Sequence, residues 1–278
     1  MSNIGVIAIN TGFVQVKKPF LTRKGGPIGS RLRILLSAEF SSDLPVLAWL
    51  ISHPEGDILI DAGMSAGWLR PDYLDSIGSF DAWLTRRLCR FQVEPGQSIG
   101  AQLPKFRAAG TQGLRVFMTH LHIDHVDGLR ELQGCEIWVN ESEWAHPSGA
   151  PKALLAPLTP RRFAFEPVAD PVFDRIYPIT RAGDLFVAPT PGHTPNHCSI
   201  ILRRGGLSYV FTGDAIYNQK QLLTGELAGA HANARLAARS IERLEAYAKT
   251  HPTVVLPSHD PDAVRRLAEG EIAPLWAG

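Results

Sequence analysis

Four times along this chain a short run of apolar and β-branched residues is followed closely by histidine or aspartate. The runs are Val116-Phe117-Met118, Leu185-Phe186-Val187, Tyr209-Val210-Phe211 and Thr253-Val254-Val255-Leu256. Behind them come Thr119-His120-Leu121-His122-Ile123-Asp124-His125, then Thr190-Pro191-Gly192-His193-Thr194, Phe211-Thr212-Gly213-Asp214 and Leu256-Pro257-Ser258-His259-Asp260. Runs of that composition read as buried strands. Delivering side chains from the C-terminal ends of several strands is how open α/β architectures build a site. The pattern therefore predicts an α/β fold whose strands converge on one cluster of His120, His122, Asp124, His125, His193, Asp214 and His259.

The spacing of the first motif constrains its backbone. In a helix, positions 120 and 122 would point about 200° apart. In a strand, 120, 122 and 124 would share a face while 125 pointed away. A tight loop between strand and helix can instead divide the four groups between two ions. His120 and His122, with His193, would hold one, and Asp124 and His125, with His259, the other. Asp214, with two carboxylate oxygens, is the natural bridge. Imidazole and carboxylate suit two divalent ions, zinc first, with iron, cobalt or manganese also compatible. Structural zinc sites are usually closed and cysteine-rich, so a cluster of only His and Asp points to catalysis. The other histidines, His53, His146, His197, His231 and His251, read as solvated or hydrogen-bonded residues.

Composition narrows the partners. The net charge of +1 argues against nucleic acid, which needs a concentrated basic footprint. Cys89, Cys135 and Cys198 are few and widely spaced, as expected of reduced thiols in a cytoplasmic protein, and Cys198 reads as a buried small hydrophobe. No apolar run reaches the length of a membrane span, and the N-terminus lacks the basic segment of a secretory signal. No linker divides the 278 residues, so one domain over 1–278 is expected, as a monomer or homodimer acting on a small molecule.

Strands are expected at about 4–9, 31–37, 46–52, 57–61, 116–118, 136–139, 185–189, 198–203, 208–212 and 253–256. Helices are expected near 97–108, at Gly128–Leu132, over 232–249 and at 261–269, with an aromatic-rich, helix-compatible stretch at 64–100. Residues 147–181 read as an irregular excursion. Two blocks of strands, each followed by helices, predict two mixed sheets face to face with helices outside.

The His-x-His-x-Asp-His run with later His, Asp and His resembles the metallo-β-lactamase superfamily over nearly the whole chain. That resemblance implies a four-layer αβ/βα sandwich with a dinuclear site at one edge of the paired sheets. Leu59-Ile60-Asp61-Ala62-Gly63 resembles the family's early strand ending in Asp-Thr-Gly, with Ala62 in place of Thr. It makes Asp61 either a group orienting a ligand histidine or a turn cap. Val126-Asp127-Gly128 departs from the commoner small-Gly-Gly, which should alter the start of the following helix and leave the ligands unchanged.

Asp214-Ala215-Ile216-Tyr217 is similar to the Asp-x-x-Tyr of N-acyl homoserine lactone lactonases, and His259-Asp260 also resembles them. The resemblance implies a hydrolase in which a hydroxide held between the metals attacks a lactone carbonyl. Tyr217 would stabilise the oxyanion, and Asp124 would pass a proton to the leaving alkoxide. Trp68, Phe80 and Trp83 are candidates for an apolar groove holding an acyl chain. The alternative is an organophosphate or aryl-ester hydrolase, or a thioesterase resembling glyoxalase II, on the same metals.

Overall fold

The apolar runs pair into two mixed sheets. A computed structural model describes residues 4–107 and 113–276. The first sheet contains β1 (Gly5–Val16), β2 (Leu44–Ser52), β3 (Ile58–Ile60), β4 (Cys89–Gln92), β5 (Arg115–Phe117), β6 (Glu136–Asn140) and β7 (Arg161–Phe163), in the order β4-β1-β2-β3-β5-β6-β7. The second contains β8 (Glu166–Pro167), β9 (Arg175–Pro178), β10 (Leu185–Pro189), β11 (Cys198–Arg204), β12 (Leu207–Gly213) and β13 (Thr253–Pro257), in the order β13-β12-β11-β10-β9-β8. The helices are α1 (Pro27–Leu36), α2 (Ser79–Leu88), α3 (Ile99–Phe106), α4 (Ile123–Val126), α5 (Glu141–Ala145), α6 (Lys152–Leu155), α7 (Gln219–Thr224), α8 (Ala234–Thr250) and α9 (Ala263–Glu269).

Side-chain alternation assigns the layers, because successive residues of a strand face opposite ways. Trp49, Ile51, Ile58 and Ile60 point between the sheets, against Val187, Ile200 and Phe211. The Trp49 and Phe211 rings lie 5.4 Å apart. Leu50, Leu59 and Val116 point the other way, against Ile99, Leu103 and Leu129. On the far side, Ile201, Val210 and Val255 pack on Ile241, Leu244 and Tyr247 of α8. The expected order of helices, sheet, sheet and helices results.

Parallel neighbours require crossovers, and the crossovers carry the site. β5 and β6 are parallel, so the chain must turn back between them, and the turn is the His120–His125 segment. β12 and β13 are also parallel, and α8 spans the gap. Asn233 starts α8 by accepting hydrogen bonds from the backbone N–H groups of Arg235 and Leu236. Ala237, Ile241, Leu244 and Ala248 then form its buried stripe.

Several expectations are corrected. Segment 31–37, read as a strand, is the last part of α1 up to Leu36, with Ser37 as its C-cap. Proline in the first turn presets that helix, and the Ser30 hydroxyl ties it to the Gly229 carbonyl at 2.9 Å. Residues 147–181 contain α6 and the short strands β7, β8 and β9. The helix expected near 97–108 is α3, and residue 108 lies outside the described residues. Gly128–Leu132 is a 3-10 turn over Asp127–Glu131. The Asp127 carboxylate accepts hydrogen bonds from Ser65 N–H, the Trp68 indole and the Tyr73 hydroxyl, binding the 65–73 segment to the site's underside. Among the described residues no helix is long and apolar enough to cross a membrane.

Candidate metal centre and active-site cavity

The chain leaves β5 after Phe117, bends at Thr119 and is extended at His122, whose carbonyl accepts the first helical hydrogen bonds of α4. His120 and His122 therefore sit in a loop while Asp124 and His125 ride the first helical turn. The β10, β12 and β13 ends bring His193, Asp214 and His259 from the second sheet. The ligand atoms of His120, His122 and His193 lie within 4.8 Å of one another, as do those of Asp124, His125 and His259, and those of His120, His125 and Asp214. Asp214 lies between the two outer groups. Its Oδ1 is 3.2 Å from His125 Nε2 and 3.3 Å from His259 Nε2, and its Oδ2 is 3.4 Å from His193 Nε2.

Hydrogen bonds behind the cluster set the tautomers. A carbonyl only accepts, so His259 Nδ1–H donates to Pro45 O at 2.8 Å, leaving Nε2 with its lone pair facing inward. His125 Nδ1 pairs with Asp61 Oδ2 at 2.8 Å. Thr119 gives its hydroxyl proton to the same Asp61 oxygen, so it accepts from His120 Nδ1 at 3.1 Å. Inward Nε2 atoms on rings whose outer Nδ1–H is held by an acceptor are what a metal needs. The buried His120 Nε2, His125 Nε2 and Asp214 Oδ1 find no aligned hydrogen-bond partner. Burying such atoms unpaired costs about 1–3 kcal/mol each, and a divalent cation satisfies all of them at once. The residues fit a metal.

Electrostatics divide the cluster, favouring the neutral form at two histidines and the cationic form at two. Burial works against the Asp214 carboxylate, but His259, His125 and His193 outweigh it and hold its pKa well below the usual range. Burial pushes His120 and His193 toward the neutral form that ligates. His125 and His259 are also buried, yet carboxylates outweigh that and raise both pKa values: Asp61 and Asp214 at His125, and Asp214 with Asp124 at His259.

Three further residues hold the site together. Asp61 adopts φ +57°, in the left-handed region that non-glycine residues seldom occupy. There its carboxylate reaches His125, the Thr119 N–H and the Thr119 hydroxyl, so it orients a histidine rather than merely capping a turn. His197 is fully buried, as a hydrogen-bonded residue should be. Its Nε2 accepts from the Asp214 N–H at 3.1 Å, while Nδ1 faces Thr190. Burial pushes its pKa down to about 3. Glu143, on α5, accepts from the Thr194 hydroxyl at 2.9 Å beside His193, and burial raises its pKa to about 7. The sequence shows no signal for Glu143. His197, four residues beyond His193, is visible only as another histidine.

Tyr217 is 6% exposed and stacks on the His259 ring, with centroids 5.6 Å apart. Burial, reinforced by Asp214 and Asp124, keeps its phenol protonated by raising its pKa. It lines a cavity of about 820 Å³ whose floor is formed by His122, Asp124, His193, Asp214 and His259. The outer wall is apolar, with Ile34 and Leu35 of α1, Leu84 and Leu88 of α2, and Phe91. The aromatic groove expected from Trp68, Phe80 and Trp83 is corrected. Trp68 packs on Tyr73 and Phe91, Phe80 and Trp83 are 69% and 57% exposed, and none of the three lines the cavity. α2 turns its leucines inward and its aromatics outward, a choice that depends on helix rotation.

His231, expected to be solvated or hydrogen-bonded, lines the cavity, and neither of its buried ring nitrogens has a partner. Burial and the nearby Arg23 lower its pKa to about 4. Cys198 is fully buried against the Met118 and Thr119 carbonyls, as a small hydrophobe should be.

The sequence profile of the metallo-beta-lactamase superfamily matches residues 42–259, from β2 through the last of the clustered histidines. The chain belongs to this superfamily. Within reach of this metallo-beta-lactamase superfamily member is the N-acyl homoserine lactonase AttM of Rhizobium radiobacter, 25% identical over 236 residues, covering 80% of this chain and 84% of that protein. An N-acyl homoserine lactonase of Bacillus sp is 26% identical over 225 residues, covering 78% and 82%. Among solved structures, an N-acyl homoserine lactone hydrolase with N-hexanoyl-L-homoserine at its catalytic metal centre superposes with TM-score 0.73 and 21% identity, covering 97% of both chains. AidC, described as a dizinc quorum-quenching lactonase, gives TM-score 0.60 at 14% identity, over 94% and 89% of the two chains.

Proposed function

We propose that this protein is a metal-dependent lactonase that opens N-acyl homoserine lactones and related lactones to hydroxy acids. It does so with two zinc ions. His120, His122 and His193 would hold one and Asp124, His125 and His259 the other, with Asp214 between the two groups. The reading rests on the placement of Asp214, whose two oxygens face the two histidine groups beneath a buried tyrosine. The lactonase names of AttM and the Bacillus relative support the substrate class.

Bound divalent ions supply Lewis acidity and bring the pKa of water toward neutrality. The protein's own groups do the rest. Tyr217 keeps its proton and donates it as a hydrogen bond to the oxygen on which charge develops, a contribution of about 3–4 kcal/mol for a well-placed donor. Asp124, on the cavity floor and 3.4 Å from His259 Nε2, takes a proton from the attacking water and passes it to the departing ring oxygen. The leucine wall excludes water and covers an acyl chain, each fully buried methylene contributing about 0.8 kcal/mol. The three free cysteines fit a reducing compartment, and we assign the enzyme to the cytoplasm.

The test is a panel of initial rates with protein of known metal content. The panel holds an N-acyl homoserine lactone, a simple γ-lactone, a thioester and a phosphotriester. Lactone opening far above the others, abolished by chelation, is the expected result. Turnover confined to the thioester or phosphotriester would overturn the substrate class.

A further inference from the structure

His231 sits on a segment pinned from both sides. Gly229 N–H donates to the Phe20 carbonyl and its own carbonyl accepts from Ser30, at 2.6 Å and 2.9 Å. A side chain at Gly229 would strike the Pro19 carbonyl, so the approach is closed to any other residue. Beyond His231, Ala232 N–H donates to the His193 carbonyl at 3.1 Å and Asn233 N–H to the Gly192 carbonyl at 3.0 Å. The imidazole is thus referenced to the loop that carries His193. The two rings stand perpendicular with centroids 6.3 Å apart.

In this fixed position both nitrogens of His231 are buried in the cavity wall without a protein partner. That is costly for a group with one donor and one acceptor to satisfy. Most of the outer wall is hydrocarbon, while Arg23 and Asn233 join His231 in its polar part. The wall near His231 is therefore built for a polar group that lies close to the reacting carbonyl and is followed by an apolar tail. A secondary amide on the carbon next to a lactone carbonyl, carrying an acyl chain, has that order of parts. A plain alkyl lactone does not.

We propose that His231 is a specificity-determining residue, whose ring N–H donates to the amide carbonyl oxygen of an N-acylated lactone. The hydrogen bond selects acyl-amide lactones over alkyl lactones of equal length. The inference rests on the lactonase reading and adds to it the group that is recognised.

The test uses the full, metal-loaded chain in three forms: wild type, His231→Leu and His231→Gln. Substrates are N-hexanoyl homoserine lactone and an alkyl γ-lactone of similar length, and metal content is measured in each form. Losing a hydrogen bond that the site is built to make costs about 10–100-fold in discrimination. His231→Leu is expected to lower kcat/KM for the amide lactone by that factor and to leave the alkyl lactone within about 2-fold. It should weaken binding of the ring-opened N-hexanoyl homoserine, measured by calorimetry, by a similar factor. His231→Gln, which keeps a donor, should recover a large part of both. Equal losses on the two lactones, no loss, or no recovery by Gln would each overturn the role of His231. Wild-type protein that opens neither lactone overturns the lactonase reading itself, and that failure is seen before any variant is made.

Discussion

His259 and Leu35 line the same cavity under opposite conditions. His259 is 2% exposed, and its outer nitrogen is fixed on the Pro45 carbonyl. Leu35 is 41% exposed, on a helix whose neighbours Ile28, Leu32 and Leu36 are 76%, 50% and 77% exposed. The floor is over-determined by hydrogen bonds from β2, β3, β5 and β12. The apolar part of the outer wall rests mainly on side-chain packing of α1 and α2 with Val14, Val16 and Phe91. A floor of this kind fixes chemistry, because metal ligands must be placed to a fraction of an ångström. A wall of this kind fixes only which chains are covered, and a hydrophobic surface discriminates weakly between neighbours in a series.

Substitutions should divide along that line. Asp214→Ala removes the group shared by both histidine sets, so metal content should fall and kcat/KM should drop by about 10³-fold or more. Elemental analysis beside lactone kinetics checks both. Tyr217→Phe should keep its full metal complement while kcat falls by about 10²–10³-fold. Unchanged lactone turnover would remove the tyrosine from the reaction. Asp61→Asn tolerates the left-handed backbone but loses the charge behind His125, and metal affinity should fall by about 10–100-fold in competition with a chromophoric chelator. On the wall, Leu88→Ala should lower the preference for a decanoyl over a butanoyl lactone by about 10-fold, with metal content untouched. An equal loss on both chains would show that α2 shapes the floor as well.

The smallest effect concerns Glu143. Its pKa rises from 4.5 to about 7 because the folded protein buries it, so the native state binds a proton that the unfolded chain releases. Stability from this group is fully present below about pH 4.5 and is lost as the pH climbs through about 7. Glu143→Gln keeps an acceptor for Thr194 and has no proton to lose. Thermal unfolding of the metal-free variant should therefore be flatter with pH across that window, by about 1–3 kcal/mol relative to wild type. Parallel profiles for the two proteins would show that Glu143 is not the group that titrates.

The same division explains what was legible in the sequence. Floor residues follow long apolar runs and come from residue types with few other reasons to cluster, so His120, His122, Asp124, His125, His193, Asp214 and His259 are found together where the strands end. The two sheets follow from the same runs, since Trp49, Ile51, Ile58 and Ile60 alternate cleanly with Leu50 and Leu59. The wall is less readable. Arg31 to Leu36 satisfies a strand and a helix almost equally, and only Pro27 and the Ser30–Gly229 bond favour the helix. β7, β8 and β9 are two to four residues long and mostly exposed, too short to show a period. Whether Leu84 or Trp83 faces the cavity depends on the packing of α2, which no local pattern states. His231 and Glu143 are single residues whose roles come from what surrounds them.

The site also lies across a seam. His120, His122, Asp124 and His125 come from the first sheet, and His193, Asp214 and His259 from the second. Around them the sheets are stitched by Leu47 N–H to the Ser258 carbonyl and Cys198 N–H to the Thr119 carbonyl, each at 3.0 Å, and by His259 to Pro45. An ion held there would add a further tie between two halves whose remaining contact is largely hydrocarbon. Loss of such an ion would remove one tie across that seam, so the cluster that would hold it bears on the stability of the folded protein as well as on its chemistry.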